Sequence, residues 1–304
     1  MPLLDIVAQQ IVNGLTIGAF YALIALGYTM VYGIIRLINF PHGDIFSLGA
    51  FLALSVAQFV AWGTGAGAAT GAAILAGTLV ASGAIGLLGV SIERYAYRPL
   101  RGGSRLIPLI SAIGVSFLIQ NGIMLAWGAE FRVYPEFPSR VWTVGGARVT
   151  LIQVLILVAA LVLMVALHLF VQNTRLGKAM RATSVDHDTA RLMGINVDRI
   201  IAVTFFIGSV LGAASGVMVG LYYRQISFFM GYVYGLKAFT AAVLGGIGNI
   251  PGAMLGGLLL GVLEAVGAAL FPAEWKDVIA FGILITVLIF KPRGLLGERI
   301  AQSV

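Results

Sequence analysis

Residues 11–62 read "IVNGLTIGAFYALIALGYTMVYGIIRLINFPHGDIFSLGAFLALSVAQFVAW": two long apolar runs separated by a short polar interruption, "RLINFPHGD". The runs, 8–35 and 44–62, are of the length an α-helix needs to cross a bilayer, about 20 residues for about 30 Å of hydrocarbon. Neither alternates with period two and both are too long for membrane strands, which disfavours a closed barrel. The stretch therefore predicts helices that span a membrane, joined by a tight and chemically unusual connection.

Working outward, the same kind of run recurs at 68–92, 107–127, 149–171, 200–221, 237–271 and 278–290, eight blocks in all. The chain is 60% hydrophobic and 10% charged, with mean hydropathy +1.00, against about 25% charged residues in soluble domains. The expected fold is all-α: a polytopic transmembrane helical bundle of about eight to nine membrane segments, forming one transmembrane domain over 1–304. The first block lacks a basic lead and a cleavage site and is read as a retained helix, not a signal peptide. With no cysteine, disulfides and thiolate metal sites are excluded. The net charge of +7 sits in loops between membrane blocks and does not point to nucleic acid. There is no HExxH, no Gly-x-Ser-x-Gly and no clustered His and carboxylate set, so no catalytic or metal residue is assigned.

The loops orient the chain. Segment 93–106 carries Arg94, Arg98, Arg101 and Arg105, and segment 172–199 carries Arg175, Lys178, Arg181, Arg191 and Arg199, so both are expected to be cytoplasmic. Segment 128–148, where Arg132, Arg140 and Arg148 are offset by Glu130 and Glu136, is expected to be an ordered outer loop. This places Arg36 inside and the N-terminus outside, and Lys291, Arg293 and Arg299 place the C-terminus inside. Outside to inside requires an odd number of crossings, which eight blocks do not supply. Splitting 237–271 at "GGIGNIPG" into a short half-helix and a full span resolves the parity.

Two segments are thus broken by Gly and Pro: "INFPHGD" at 38–44 and "LGGIGNIPGAMLGG" at 244–257. Unwound backbone at membrane depth needs partners in protein or in a water-lined cavity, and paired breaks in a transporter point to the substrate path. The candidate pathway residues are Asn39, His42, Gly43, Asp44, Gly245, Gly246, Gly248 and Asn249, with Asp44 read as the cap of the following helix. A tight interfacial turn is the plainer alternative. Gly248, Gly252 and Gly256, with Gly257 and Gly261, stand four apart and predict a helix face for close packing. Glu264 is expected near the outer interface, and Gln120 and Asn121 in hydrogen bonds between helices.

The longest loop with cytoplasmic charge, 172–199, predicts a short helix starting near Ser184 or Asp186, with Asp188 in its first turn, Arg191 in its last and Gly194 as terminator. Leu192 and Met193 would offer apolar contact to a partner; a solvated connector is the alternative. At this loop the chain resembles the coupling segment of ABC importer permeases. More closely, "NGLTIGAFYALIALGYTMVYGIIRLINFPHGD", "SIERYAYRPLR", "LISAIGVSFLIQN", "LGKAMRAT", "LMGIN" and "KAFTAAVLGGIGNIPGAMLGGLLLG" are similar, in sequence and order, to LivH-type permeases of branched-chain amino-acid ABC importers. One departure is Pro41, where such permeases often carry alanine.

The resemblance implies a multi-pass subunit of a bacterial inner (cytoplasmic) membrane, embedded in the lipid bilayer. Its implied partners are a homologous LivM-type permease, two ABC ATPase subunits and a periplasmic amino-acid-binding protein. It implies no cofactor in this chain, with ATP and Mg bound by the ATPase subunits, and coupling through Ser184, Asp186, Asp188, Arg191, Leu192, Met193 and Gly194. The sequence agrees in lacking a phosphate loop: the Gly177–Lys178 pair is followed by Ala179 and has Gln172 where the first glycine is required. Urea or amide permeases are the alternative within this class. An ion-gradient-driven transporter or channel is the alternative outside it, with Asp44 and Glu264 as its candidate carboxylates. On the ABC reading both breaks line the central pathway facing the partner permease. Free helix-end amides near Asp44 and Gly252 would face a substrate carboxylate, and freed carbonyls with Asn39 an ammonium.

Overall fold

The computed structural model describes residues 3–64, 71–101, 104, 106–136 and 140–297, which leaves Arg105 and Arg299 outside the described residues. The bundle is organised around its first helix, α1 (Leu3–Ile35). Every residue of α1 from 16 to 31 is buried, as expected of a helix that is apolar on all sides. After α1 the chain turns at Arg36, a non-glycine residue with φ +55°, and runs back along the helix it has just left. Helix α2 (Pro41–Thr64) therefore starts inside the bundle, its His42 beside Ile24 and Gly27. Gly27 precedes the end of α1 by eight residues, about 12 Å of helix. Pro41 occupies the first helical position, where its missing N–H costs nothing.

Helix α3 (Gly71–Ile92) returns and ends in one π turn, Glu93–Tyr97, and one 3-10 turn, Arg98–Leu100. Helix α4 (Leu106–Trp127), the strand β1 (Arg132–Val133), the hairpin β2 (Val141–Val144) and β3 (Ala147–Thr150), and helix α5 (Leu151–Asn173) follow. Two short helices, α6 (Arg175–Val185) and α7 (His187–Leu192), lead into α8 (Val197–Tyr223) and β4 (Gln225–Ile226), which pairs with β1. The last three helices are α9 (Met230–Gly245), α10 (Ile250–Leu270) and α11 (Lys276–Phe290).

Among the described residues seven helices, α1 to α5, α8 and α10, are long and apolar enough to cross a membrane. The expected eight to nine segments become seven full spans and two shorter helices. Block 237–271 does split, but α9 starts earlier, at Met230. With 16 residues α9 reaches about 24 Å, and α11 with 15 about 22 Å.

Glycine sets the closeness of packing. The expected single glycine face of α10 is two faces. Gly257 and Gly261 meet Ala22 and Gly18 of α1, whereas Gly252 and Gly256 meet Gly245 and Ala241 of α9. A Cβ added at Gly18 would stand 2.7 Å from the Cα of Leu258. Gly248 is not part of α10 at all; it lies in the break before it with φ +99°.

The two ends of the bundle differ in charge. At one end Arg98 and Arg101 pair with Asp198 at the start of α8, and Arg101 also pairs with Glu93. At the other end β2 and β3 turn at Gly145 and Gly146, both with positive φ. There Gln9 of α1 donates to the Arg148 carbonyl at 3.1 Å, and Arg224 pairs with Glu136 at 2.9 Å. The first end carries the cationic loops expected to be cytoplasmic by the positive-inside rule.

Candidate transport path and docking segment

The first break is a buried feature of the interior. Asn39, His42 and Asp44 keep only 2%, 1% and 3% of their surface exposed. Tyr97, on the π turn after α3, donates to Asn39 Oδ1 at 3.0 Å. His42 Nε2 lies 3.2 Å from the Ile24 carbonyl and, facing an acceptor, is the donor. The imidazole fits because its neighbours lack side chains: a Cβ on Gly27 would strike the ring, and one on Gly212 would stand 3.3 Å from its Cε1. Gly43 touches Gly231 and Gly235 of α9 in the same way. Asp44 is not the expected cap, because α2 already begins at Pro41 and places Asp44 inside its first turn. One of its carboxylate oxygens instead accepts from Ser116 of α4.

The second break lies nearer the cationic end. Gly248 sits opposite Gly33, two residues before α1 ends, whereas His42 sits beside Ile24 and Gly27, deeper in the bundle. Gly246, with φ +108°, closes α9, and Asn249 caps α10 by accepting from the Gly252 amide at 3.0 Å. The carbonyls of Leu244 and Gly245 accept from the amides of Leu295 and Leu296 at 2.8 and 3.0 Å. Asn249 Nδ2 donates to the Leu296 carbonyl at 2.8 Å. The helix-end groups expected to be free for substrate here are thus already bonded, by the cap and by the segment after α11. Adjacent sequence carries no sign of that tail, whose partners lie some fifty positions upstream.

The docking segment is two helices, not one. Thr174 caps α6 and Asp186 caps α7, the latter accepting from the amides of Asp188 and Thr189 at 2.8 and 3.3 Å. Ser184 belongs to the last turn of α6, and Asp186 precedes the first turn of α7. The remaining features fall as expected. Arg191 pairs with Asp188 at 3.1 Å, and Gly194 takes φ +83° to let the chain leave. Leu192 and Met193 are 87% and 78% exposed, an apolar tip projecting from a charged end. Hydrogen bonding to the Thr189 side chain, then to the Thr189 and Asp188 amides, holds the Asp186 carboxyl below the usual aspartate range.

The segment is fastened to α1. Arg36 donates to the Ser184 carbonyl at 3.2 Å, and His187 Nε2 lies 2.8 Å from the Ile34 carbonyl. A cavity of about 270 Å³ lined by Arg36, Ser184, Gly248 and Asn249 joins the second break to the docking segment. The structure thus brings the second break, the docking segment and the end of α1 together, and sets the first break apart from them.

Sequence reasoning missed Lys237. It is buried in α9, with Nζ 2.8 Å from Glu264 Oε1 and 2.8 Å from Asp277 Oδ1; Tyr21 donates to Glu264 Oε2 at 2.8 Å. Glu264 is therefore an interior ion-pair partner, not an interfacial residue. The signal was present, since a lysine inside an apolar block is by default a group with a partner. Asn121 bonds the Phe117 carbonyl of its own helix at 2.8 Å instead of another helix.

A sequence profile described as the branched-chain amino acid transport system permease component matches residues 10–288. The chain is 48% identical over 302 residues to the high-affinity branched-chain amino acid transport system permease protein BraD of Pseudomonas aeruginosa, covering 97% of each. It is 45% identical over 302 residues, again 97% of each, to the corresponding permease protein LivH of Escherichia coli K12. It is also 36% identical over 143 residues, 44% of this chain, to the autoinducer 2 import system permease protein LsrC of Yersinia enterocolitica.

Proposed function

The chain belongs to the family of branched-chain amino acid transport permease components, and from that premise we propose that it forms the translocation path of a bacterial inner-membrane ABC importer. The observation that carries this reading is 45–48% identity over 97% of the chain to permeases of high-affinity branched-chain amino acid transport. Its substrates on this reading are leucine, isoleucine, valine or similar amino acids. A periplasmic binding protein delivers them, and a second, LivM-type permease completes the path. Two ATPase subunits bind ATP and Mg.

The shape of the cytoplasmic end supports the division of labour. A docking element must transmit force, and α6–α7 is tied to the helix that runs through the centre of the bundle by Arg36 and His187. Its exposed Leu192 and Met193 suit an apolar cleft on an ATPase, with Asp188 and Arg191 able to pair at the rim. Displacement of α7 bears on the end of α1 through His187, and that end stands opposite the break at Gly248.

Reconstitution tests the reading. Vesicles containing this chain, its partner permease and the ATPase subunits are expected to accumulate leucine only when ATP and the binding protein are both supplied. Accumulation by this chain alone, driven by a sodium or pH gradient and indifferent to ATP, would overturn it.

A further inference from the structure

Among the described residues four charged side chains are buried, Asp44, Glu93, Lys237 and Glu264, and three of them are matched, Glu93 by Arg101. Lys237 and Glu264 neutralise one another. Among the described residues Asp44 has no ion-pair partner. One of its oxygens accepts from Ser116, while Oδ1 is buried with no partner at all. A carboxylate removed from water and left half-satisfied is strongly unfavourable, and a buried orphan of this kind signals a partner that the protein by itself does not supply.

Asp44 forms part of the wall of a cavity of about 530 Å³ between α2, α4 and α9. That lies within the range of about 300–1,000 Å³ found for small-molecule clefts. Most of the wall is apolar, with Phe40, Ile113, Phe117, Phe229 and Leu236 in it. Among the described residues no basic side chain lines it. A neutral donor stands in the same wall, the amide of Gln120, while the Ser116 hydroxyl is taken up by Asp44. Close contact of Gly43 with Gly231 and Gly235 brings the first turn of α2 against α9 and so sets Asp44 at this wall.

We propose that this cavity is a subsite for the amino acid in transit, in which Asp44, steadied by Ser116, receives the ammonium, the apolar wall receives the branched side chain, and Gln120 faces the carboxylate. The assignment rests on the transport reading above and reverses the expectation that Asp44 only caps its helix. An aliphatic zwitterion satisfies each feature at once: its ammonium supplies the missing counter-ion, and its hydrocarbon covers the aromatic wall. The positive end of the α2 dipole steadies the carboxylate before substrate arrives.

The cysteine-free chain provides the test. In the assembled importer with Tyr232→Cys, at another position of the cavity wall, as its single thiol in this chain, the rate of modification by N-ethylmaleimide is measured without and with excess leucine. It is measured again with the hydroxy acid in which the leucine ammonium is replaced by a hydroxyl. Leucine is expected to slow modification and the hydroxy acid to leave it unchanged, a comparison that needs no alteration at Asp44. Adding Asp44→Asn is expected to abolish the protection, and in the otherwise unaltered importer to reduce ATP-driven leucine uptake by about tenfold or more, as for loss of one charge-assisted hydrogen bond. Equal protection by the hydroxy acid, protection surviving Asp44→Asn, or no modification of the cysteine at all would overturn the subsite while leaving the transport reading intact. Failure of the unaltered importer to take up leucine with ATP would overturn the transport reading, and selective protection by leucine would still support the subsite.

Discussion

At the scale of single residues, the chemistry of the interior is a set of polar groups placed where glycine makes room or where an opposite charge waits. Lys237 is the clearest case. Its side chain is held between Glu264 and the more exposed Asp277. Removing the cation leaves Glu264 buried with only the Tyr21 hydroxyl as its hydrogen-bond partner. Lys237→Met is therefore expected to destabilise the chain by about 3–5 kcal/mol, whereas the double change Lys237→Met with Glu264→Leu recovers most of the loss, because no uncompensated charge remains. Thermal unfolding of the detergent-solubilised protein checks this, and a single variant that melts with the unaltered protein would show that the pair contributes nothing. Both residues were visible in the sequence, but their pairing spans the break between α9 and α10 and was not. His42 could be singled out from "INFPHGD", whereas the slot that holds it is made by Gly27 and Gly212 on two other helices.

At the scale of elements, helix contacts are set by which glycines face which neighbour. Gly18→Leu forces a side chain into the α10 backbone and is expected to cost about 1–3 kcal/mol or more of stability through overpacking. Gly122→Leu, where an added Cβ meets nothing within 4 Å, is expected to be neutral. Comparison of their monodisperse fractions after heating distinguishes the two. The caps of the docking helices carry a pH signature. The Asp186 carboxyl titrates below its ordinary value because the folded cap bonds its charged form, first through the Thr189 side chain. Its stabilisation is therefore complete above the unfolded value, about 3.9, and is lost only as pH falls through the lower folded value. Hydrogen exchange at the Asp188 and Thr189 amides, corrected for intrinsic rate, is expected to be flat from about pH 5 to 8. Asp186→Ala is expected to speed that exchange across the whole range. The cap, the Asp188–Arg191 pair and the Gly194 exit could be read from sequence because they involve neighbours in the chain. The division into α6 and α7 could not, since Ser184 is drawn into α6 by contacts with Arg181 and Arg36.

At the scale of the whole molecule, cationic loops gather at one end and the hairpin at the other, and the positive-inside rule then predicts the N-terminus outside and the C-terminus inside. In otherwise cysteine-free chains, Glu136→Cys is expected to react with a membrane-impermeant thiol reagent in intact cells after outer-membrane permeabilisation, and Lys291→Cys only after the inner membrane is opened; the reverse pattern would invert the topology. Sequence alone determined that this chain is a polytopic helical membrane protein, that the block at 237–271 is broken and that a short capped helix ends at Gly194. Each of these depends on composition, on length against bilayer thickness, or on neighbours in the chain. Only the tertiary structure decided that α1 is the buried axis, that α2 starts part-way into the bundle, that the tail after α11 seals the second break, and that Asp44 faces a cavity while Glu264 faces a lysine. Those outcomes depend on contacts between residues far apart in sequence, and in a chain with 40 glycines and so many interchangeable apolar side chains, local pattern does not say which helix face meets which.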